Sequence, residues 1–150
     1  MKIAIGADHA GFRLKEHVRD HLRAEGHEVV DVGTSSEEST DYPDYAKVVA
    51  QDVSAGKADR GVLVCSTGIG MSIAANKVHG VRAAVGASED TVRLTRAHNN
   101  ANVLSIGERM ISLEVALNIV DIWLTTEFEG GRHENRIAEL ARYEAGQPMQ

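Results

Sequence analysis

Gly61-Val62-Leu63-Val64-Cys65 is a short apolar run that closes on Ser66-Thr67-Gly68-Ile69-Gly70 and passes directly into Met71-Ser72-Ile73-Ala74-Ala75-Asn76-Lys77. A strand, a glycine-rich turn and a helix follow one another in that stretch, the first half of a βαβ crossover. Four other short runs rich in Val, Ile and Ala repeat the theme: Ile3 to Gly6, Glu28 to Val32, Arg82 to Gly86 and Val103 to Gly107. Longer segments of helical period separate them. Near-continuous apolar strands suit a parallel sheet covered on both faces, so the chain reads as α/β with five strands and helices on either side.

The segment from Gly11 to Glu25 places Leu14, Val18 and Leu22 on one helical stripe. Arg13, Lys15, Glu16, Arg19 and Arg23 fall on the remaining, solvated surface, and Gly26 stops the helix. A second helix is predicted to open near Asp41 and Pro43, with Asp41 as a candidate cap. Ser88 and Ser112 are set to cap two more. The last of these, Leu113 to Leu124, is apolar on more of its surface than a helix with one solvent face needs. Either a second subunit or the C-terminal helix, roughly Glu134 to Ala145, is expected to cover the surplus, and a two-fold oligomer is the preferred reading. The tail from Gly146 to Gln150 is expected to fray.

The 150 residues are the length of one ordinary domain, so residues 1–150 are taken as a single unit without a linker. Hydrophobic residues at 43% against 25% charged exclude a disordered chain. Only Trp123, Phe12, Phe128, Tyr42, Tyr45 and Tyr143 are aromatic. The core must therefore be aliphatic, which favours helix-on-sheet layering. A net charge of -6 argues against a general nucleic-acid binder. Cys65 is the lone cysteine, which removes disulfides and multi-cysteine zinc sites and fits a reducing compartment. No apolar run approaches the roughly 18 residues that span a bilayer. The expectation is a soluble, cytoplasmic protein with no membrane partner.

Ligands of open parallel sheets bind beyond the carboxyl ends of the strands, where the strand order reverses. In an order 2-1-3-4-5 that rule selects two neighbouring loops, Asp8-His9 after the first strand and Ser66 to Gly70 after the third. The second loop can bring several backbone N–H groups to one point, for an anion or a developing oxyanion; an ordinary tight turn is the competing reading. Cys65 is either an inert small hydrophobe or, beside converging amides and a helix start, a thiol favoured as thiolate and so competent as base or nucleophile. Asp8 is either a helix cap or half of an acid/base pair with His9. His98 either complements a helix dipole or serves a ligand at the mouth of the sheet, with Asn99, Asn100 and Asn102 beside it. Arg132 and Arg136, four apart, form either a phosphate fork or a solvated face paired with Glu134 or Glu139, and Arg109 is placed at their end of the sheet as a third cation. His17, His21, His27 and His79 show no metal-like spacing.

Gly6-Ala7-Asp8-His9-Ala10-Gly11-Phe12, Asp41-Tyr42-Pro43, Cys65 to Lys77, His98-Asn99-Asn100-Ala101-Asn102-Val103-Leu104 and Glu129-Gly130-Gly131-Arg132-His133 together resemble the type B ribose-5-phosphate isomerases. That family also includes allose-6-phosphate and galactose-6-phosphate isomerases. The resemblance implies a flavodoxin-like three-layer sandwich forming a homodimer, or a tetramer, with the C-terminal helix reaching a partner and active sites shared between chains. It implies interconversion of ribose 5-phosphate and ribulose 5-phosphate, with no metal and no organic cofactor. It implies Cys65 as the base at C2, Thr67 beside it, and the amides of Ser66, Thr67, Gly68, Ile69 and Gly70 around the enediolate. His98 with Asp8 would open the sugar ring and Asn99 would bind hydroxyls. His9, Arg109, Arg132 and Arg136 would hold phosphate. Met71 stands where one branch has a glutamate base, which places this chain with the cysteine type; Ser66 stands where many relatives have glycine. A hexose 6-phosphate substrate, allose 6-phosphate first, and a non-catalytic phosphate- or nucleotide-binding module are the alternatives.

Overall fold

Strand β1 (Lys2–Ala7) leads through a 3-10 turn at His9–Gly11 into α1 (Phe12–Ala24), and β2 (Glu28–Asp31) follows. Next come α2 (Tyr42–Ser54), β3 (Arg60–Cys65), α3 (Ile69–Ala75), β4 (Ala83–Val85) and α4 (Glu89–Ala97). The chain ends with β5 (Val103–Gly107), α5 (Leu113–Thr125) and α6 (Arg132–Glu144). This is a computed structural model, and it describes residues 1–148. The expectation of a frayed tail therefore falls partly on residues 149–150, outside the described residues.

All five strands are parallel, in the order β2-β1-β3-β5-β4. The expected reversal between β1 and β3 is present, which makes the loops after them neighbours. The outer half of the expected order is corrected: β5 lies between β3 and β4. Burial gives the reason. Every residue of β5 is buried, whereas the three-residue β4 is partly exposed along its length, so the fully apolar strand takes the interior and the short one the edge.

Strand side chains alternate between two cores. Ile3, Ile5, Val62, Val64, Leu104 and Ile106 face α1 and α5, meeting Leu14, Val18, Leu22, Ile119, Val120 and Trp123. Ala4, Leu63, Cys65 and Val103 face the other way, onto Ala46, Val49 and Ala50 of α2 and Met71 and Ala75 of α3. The Cys65 thiol is thus on the α2/α3 side.

Three local expectations are changed. Lys15 is 1% exposed, not solvated. Its ammonium is 2.7 Å from Asp31 and 2.8 Å from Glu16, because the end of β2 offers a carboxylate on the inner side of α1. Burial opposes ionisation of Asp31, but hydrogen bonds from Lys15, the Gly33 N–H and Arg19 outweigh it and hold the carboxyl below its usual range. Asp41 occupies the cap position of α2 without a side-chain capping bond, whereas Ser88 and Ser112 do accept from Thr91 and Val115 N–H. Most of the α5 apolar surface is covered within the chain by the sheet, α1 and α4. Leu113 and Val115 are left exposed. Helix α6 lies elsewhere, with Ile137, Leu140 and Ala141 lining a groove opposite Asn76 to Arg82, and the Gly80 N–H donates to Glu144 at 3.0 Å. No helix among the described residues is long and apolar enough to cross a membrane.

Candidate active site

At the carboxyl ends of the strands, β3 delivers Cys65, 5% exposed, at its last position. The chain then turns through Gly68 at φ +82°, a left-handed value that glycine adopts without strain. That turn aims the Gly68 N–H at Cys65 Sγ, 3.1 Å away. Thr67 Oγ1 accepts from the Ile69 N–H at 3.2 Å. The loop is fastened to the next strand, since Ser105 Oγ, fully buried in β5, donates to the Gly68 carbonyl at 2.6 Å. Gly107 is required opposite: a Cβ there would sit 2.7 Å from Thr67 Cα. Two of the five expected anion-binding amides, those of Gly68 and Ile69, thus already serve the Cys65 sulfur and the Thr67 hydroxyl.

Around this loop stand three of the other expected residues, Asp8, His9 and Arg109, and one to which the sequence assigned no role. Asp8, 7% exposed, accepts from the Ala10 and Gly11 N–H groups, so it caps the 3-10 turn. His9 Nδ1 is 3.1 Å from the Thr40 amide nitrogen, which fixes the ring by the chain segment that leads into α2. Ser66 accepts from the Arg109 N–H through its carbonyl at 3.0 Å, so Arg109 belongs to this end of the sheet. Tyr42 is the addition: a Cβ on Gly70 would lie 2.6 Å from its ring, so the phenol walls the loop while remaining 40% exposed. Its signal was its place in Asp41-Tyr42-Pro43, at the start of α2.

The remaining expected residues are at the opposite end. His98 caps the C-terminus of α4 and precedes β5, whose five residues rise roughly 16 Å between Asn102 and Gly107. The Gly61 N–H, at the start of β3, donates to the Asn102 carbonyl. His98 therefore does not share the mouth of the sheet with Cys65 of its own chain. The reason is the direction of α4, which runs back antiparallel to the strands. The placing of Arg109 with Arg132 and Arg136 is corrected likewise: Arg109 precedes α5, which runs back to the lower end, where the Glu129 N–H donates to the Ala97 carbonyl at 3.0 Å.

At this lower end the His98 and His133 rings stack with centroids 4.1 Å apart. Glu129 Oε2 lies 3.8 Å from His98 Nε2 and 3.7 Å from His133 Nε2. Burial, then the neighbouring His98 and Arg132, lower the His133 pKa below that of an ordinary histidine, with Glu129 opposing. Arg132 and Arg136 are exposed, and neither forms an ion pair among the described residues; Glu139 turns to Arg142 instead. Asn99 is exposed, but Asn100 and Asn102 are structural. Asn100, at φ 46°, accepts from Arg96, and Asn102 bonds Arg82 N–H and the Gly80 carbonyl. His133 and Glu129 carried no assignment in the sequence reading. Their i,i+4 spacing beside the double glycine was the available sign. Among the described residues, His98, Glu129 and His133 are the group able to hold a metal ion.

The profile of the ribose/galactose isomerase family matches residues 3–140. The chain belongs to that family. It is 50% identical over 143 residues to ribose-5-phosphate isomerase B of Escherichia coli K12, covering 95% of this chain and 96% of that protein. The fold agrees with that of Clostridium thermocellum ribose-5-phosphate isomerase B at a TM-score of 0.96, with 50% identity over 97% of this chain and 99% of that one. Ribose-5-phosphate isomerase B from Mycoplasma genitalium, solved with bound ribulose-5-phosphate, superposes with a TM-score of 0.92 at 44% identity, covering 96% of each chain. As a member of the ribose/galactose isomerase family, this chain is an isomerase with a phosphorylated sugar substrate, and the strand order found here is that of its solved relatives.

Proposed function

We propose that this protein interconverts ribose 5-phosphate and ribulose 5-phosphate by proton transfer at Cys65, in an active site that two chains build together. The carrying observation is the Gly68 N–H aimed at Cys65 Sγ. That donor fixes the position of the sulfur, and it comes from a loop that both β3 and β5 hold still. Cys65 takes the C2 proton of the open-chain aldose and the electron pair moves through C1 onto O1 as an enediolate; the O2 hydroxyl proton passes to O1, and the proton held by Cys65 returns at C1 as the ketose carbonyl forms at C2. Amides of the Ser66 to Gly70 loop not engaged internally stabilise the enediolate oxygens. Thr67 keeps the loop in register through its bond from Ile69.

Ring opening needs a group that protonates the ring oxygen while the O1 proton leaves, and His98 assisted by Asp8 is assigned to it. Asn99 takes hydroxyls, and His9, Arg109, Arg132 and Arg136 take the phosphate. His98 and Cys65 of one chain are at opposite ends of the sheet, so the reading requires a homodimer. A two-fold contact through the α2/α3 layer, with the axis across the strands, sets one chain's upper end against its partner's lower end. The exposed Ile69 and Ile73, 55% and 58% accessible on one face of α3, beside exposed Tyr42 and Val48 of α2, support that contact. The pathway implied is pentose phosphate interconversion in the cytoplasm, within one domain per chain.

Turnover of ribose 5-phosphate, measured beside allose 6-phosphate, tests the assignment. Cys65→Ala should lose about 10²- to 10⁴-fold in kcat and still bind ribose 5-phosphate. Retained turnover in that variant removes Cys65 as the base. Faster turnover of allose 6-phosphate by the unaltered protein moves the reading to a hexose phosphate.

A further inference from the structure

We infer that His98, Glu129 and His133 form a binding site for Zn²⁺ at the lower end of the sheet, and that the ion holds the isomerase inactive while bound. One ligating atom from each residue lies within 4.8 Å of the other two. The Glu129 oxygen faces both imidazoles, 3.7 and 3.8 Å from their Nε2 atoms. Those separations are too long for hydrogen bonds. They are close to the span of two donors that each sit about 2.0–2.2 Å from a shared zinc ion.

A second, independent observation is His133 Nε2 itself. The side chain is 8% exposed, and that nitrogen is buried without a hydrogen-bond partner among the described residues. Buried polar atoms are ordinarily satisfied, and this one is aimed at the gap that Glu129 borders. Two imidazoles and one carboxylate suit a borderline-soft divalent ion better than Mg²⁺ or Ca²⁺, and they leave a fourth position for water. The adjustment needed is small. The 60% exposed Glu129 and the 36% exposed His98 are free to close on the ion, while His133 is held by packing. Arg132 and Arg136 lie close enough to act on His133 electrostatically, so they oppose a cation and keep the affinity moderate.

The binding stands on this geometry alone; the inhibition rests on the assignment of His98 to ring opening, since a metal-bound Nε2 neither gives nor takes a proton. Zn²⁺ is titrated into the whole protein in competition with a chromophoric chelator, with ribose 5-phosphate turnover followed in parallel. The expected result is one ion per chain, in the unaltered protein and in Cys65→Ala alike. Glu129→Gln and His133→Gln should each weaken it by more than about tenfold, and Arg132→Ala should tighten it. Glu129 is exposed, so its variant keeps the fold even if His133→Gln does not. Zinc should slow the unaltered enzyme, and Glu129→Gln, compared with its own metal-free rate, should resist. Binding that survives Glu129→Gln, binding that vanishes in Cys65→Ala, or no stoichiometric binding overturns the site. Stoichiometric binding without slower turnover overturns the inhibition and with it the role given to His98, while the site stands.

Discussion

The two ends of the β-sheet are built by different means. The upper end is shaped by backbone: a left-handed glycine, an amide donating to a sulfur and a carbonyl fastened by the buried Ser105 hydroxyl. The lower end is shaped by long or charged side chains, Arg132, Arg136, His98 and Glu129, around one packed histidine ring. The upper end tolerates almost no added volume. The lower end has room, because a Cβ on Gly130 or Gly131 meets nothing within 4 Å. The rigid end and the adaptable end of the sheet are thus roughly a strand length apart.

Mixing two inactive variants breaks or sharpens this comparison most directly. Cys65→Ala and His98→Ala homodimers should each be nearly inactive. Refolded together one to one, half the dimers are mixed and each mixed dimer keeps one intact site, so activity should recover to about a quarter of normal. No recovery would mean that the two ends serve no common substrate. Next in size is Gly107→Ala, where the new methyl meets Thr67 backbone at the upper end. A loss of about 1–3 kcal/mol in chemical denaturation is expected, together with a loss of kcat. Arg132→Ala at the lower end should raise KM with little change in kcat, because a remote phosphate grip is shared by ground and transition states. An unchanged KM would remove Arg132 from the phosphate shell. The smallest effect belongs to Gly130→Ala. Its cost is conformational only, about 1 kcal/mol for φ +67°, and a melting temperature as low as that of Gly107→Ala would erase the contrast between the ends.

Much of the upper end was legible in the sequence, because its parts are contiguous. Cys65 through Gly70 is one strand-to-helix turn, and apolar runs placed the ends of all five strands to within one residue. The switch between β1 and β3 then brought Asp8 and His9 alongside. The position of β4 was not legible, because a right-handed crossover is equally compatible with a step of one strand or two. What separated the alternatives was the relative burial of Ala83–Val85 and Val103–Gly107, a property of the assembled sheet. The lower end was misplaced because a residue before a strand and a residue after one look alike in a list of loops. His98 precedes β5 and Arg109 follows it, so they point to opposite ends. Lys15 was misread for a related reason: its partner Asp31 is 16 residues on, at the end of another strand.

The bond from Ser105 to the Gly68 carbonyl also bears on time. Loops beside strands ordinarily rearrange in nanoseconds to microseconds. This one is fastened to the middle of a fully buried strand, so its opening is coupled to opening of the core itself. Amide exchange at Gly68 should accordingly be as slow as at Leu104 or Ile106, although Gly68 belongs to a turn. If it exchanges as fast as the exposed amides of α6, the loop moves independently. If it does not, each arriving sugar meets a cradle whose clock is that of the hydrophobic core.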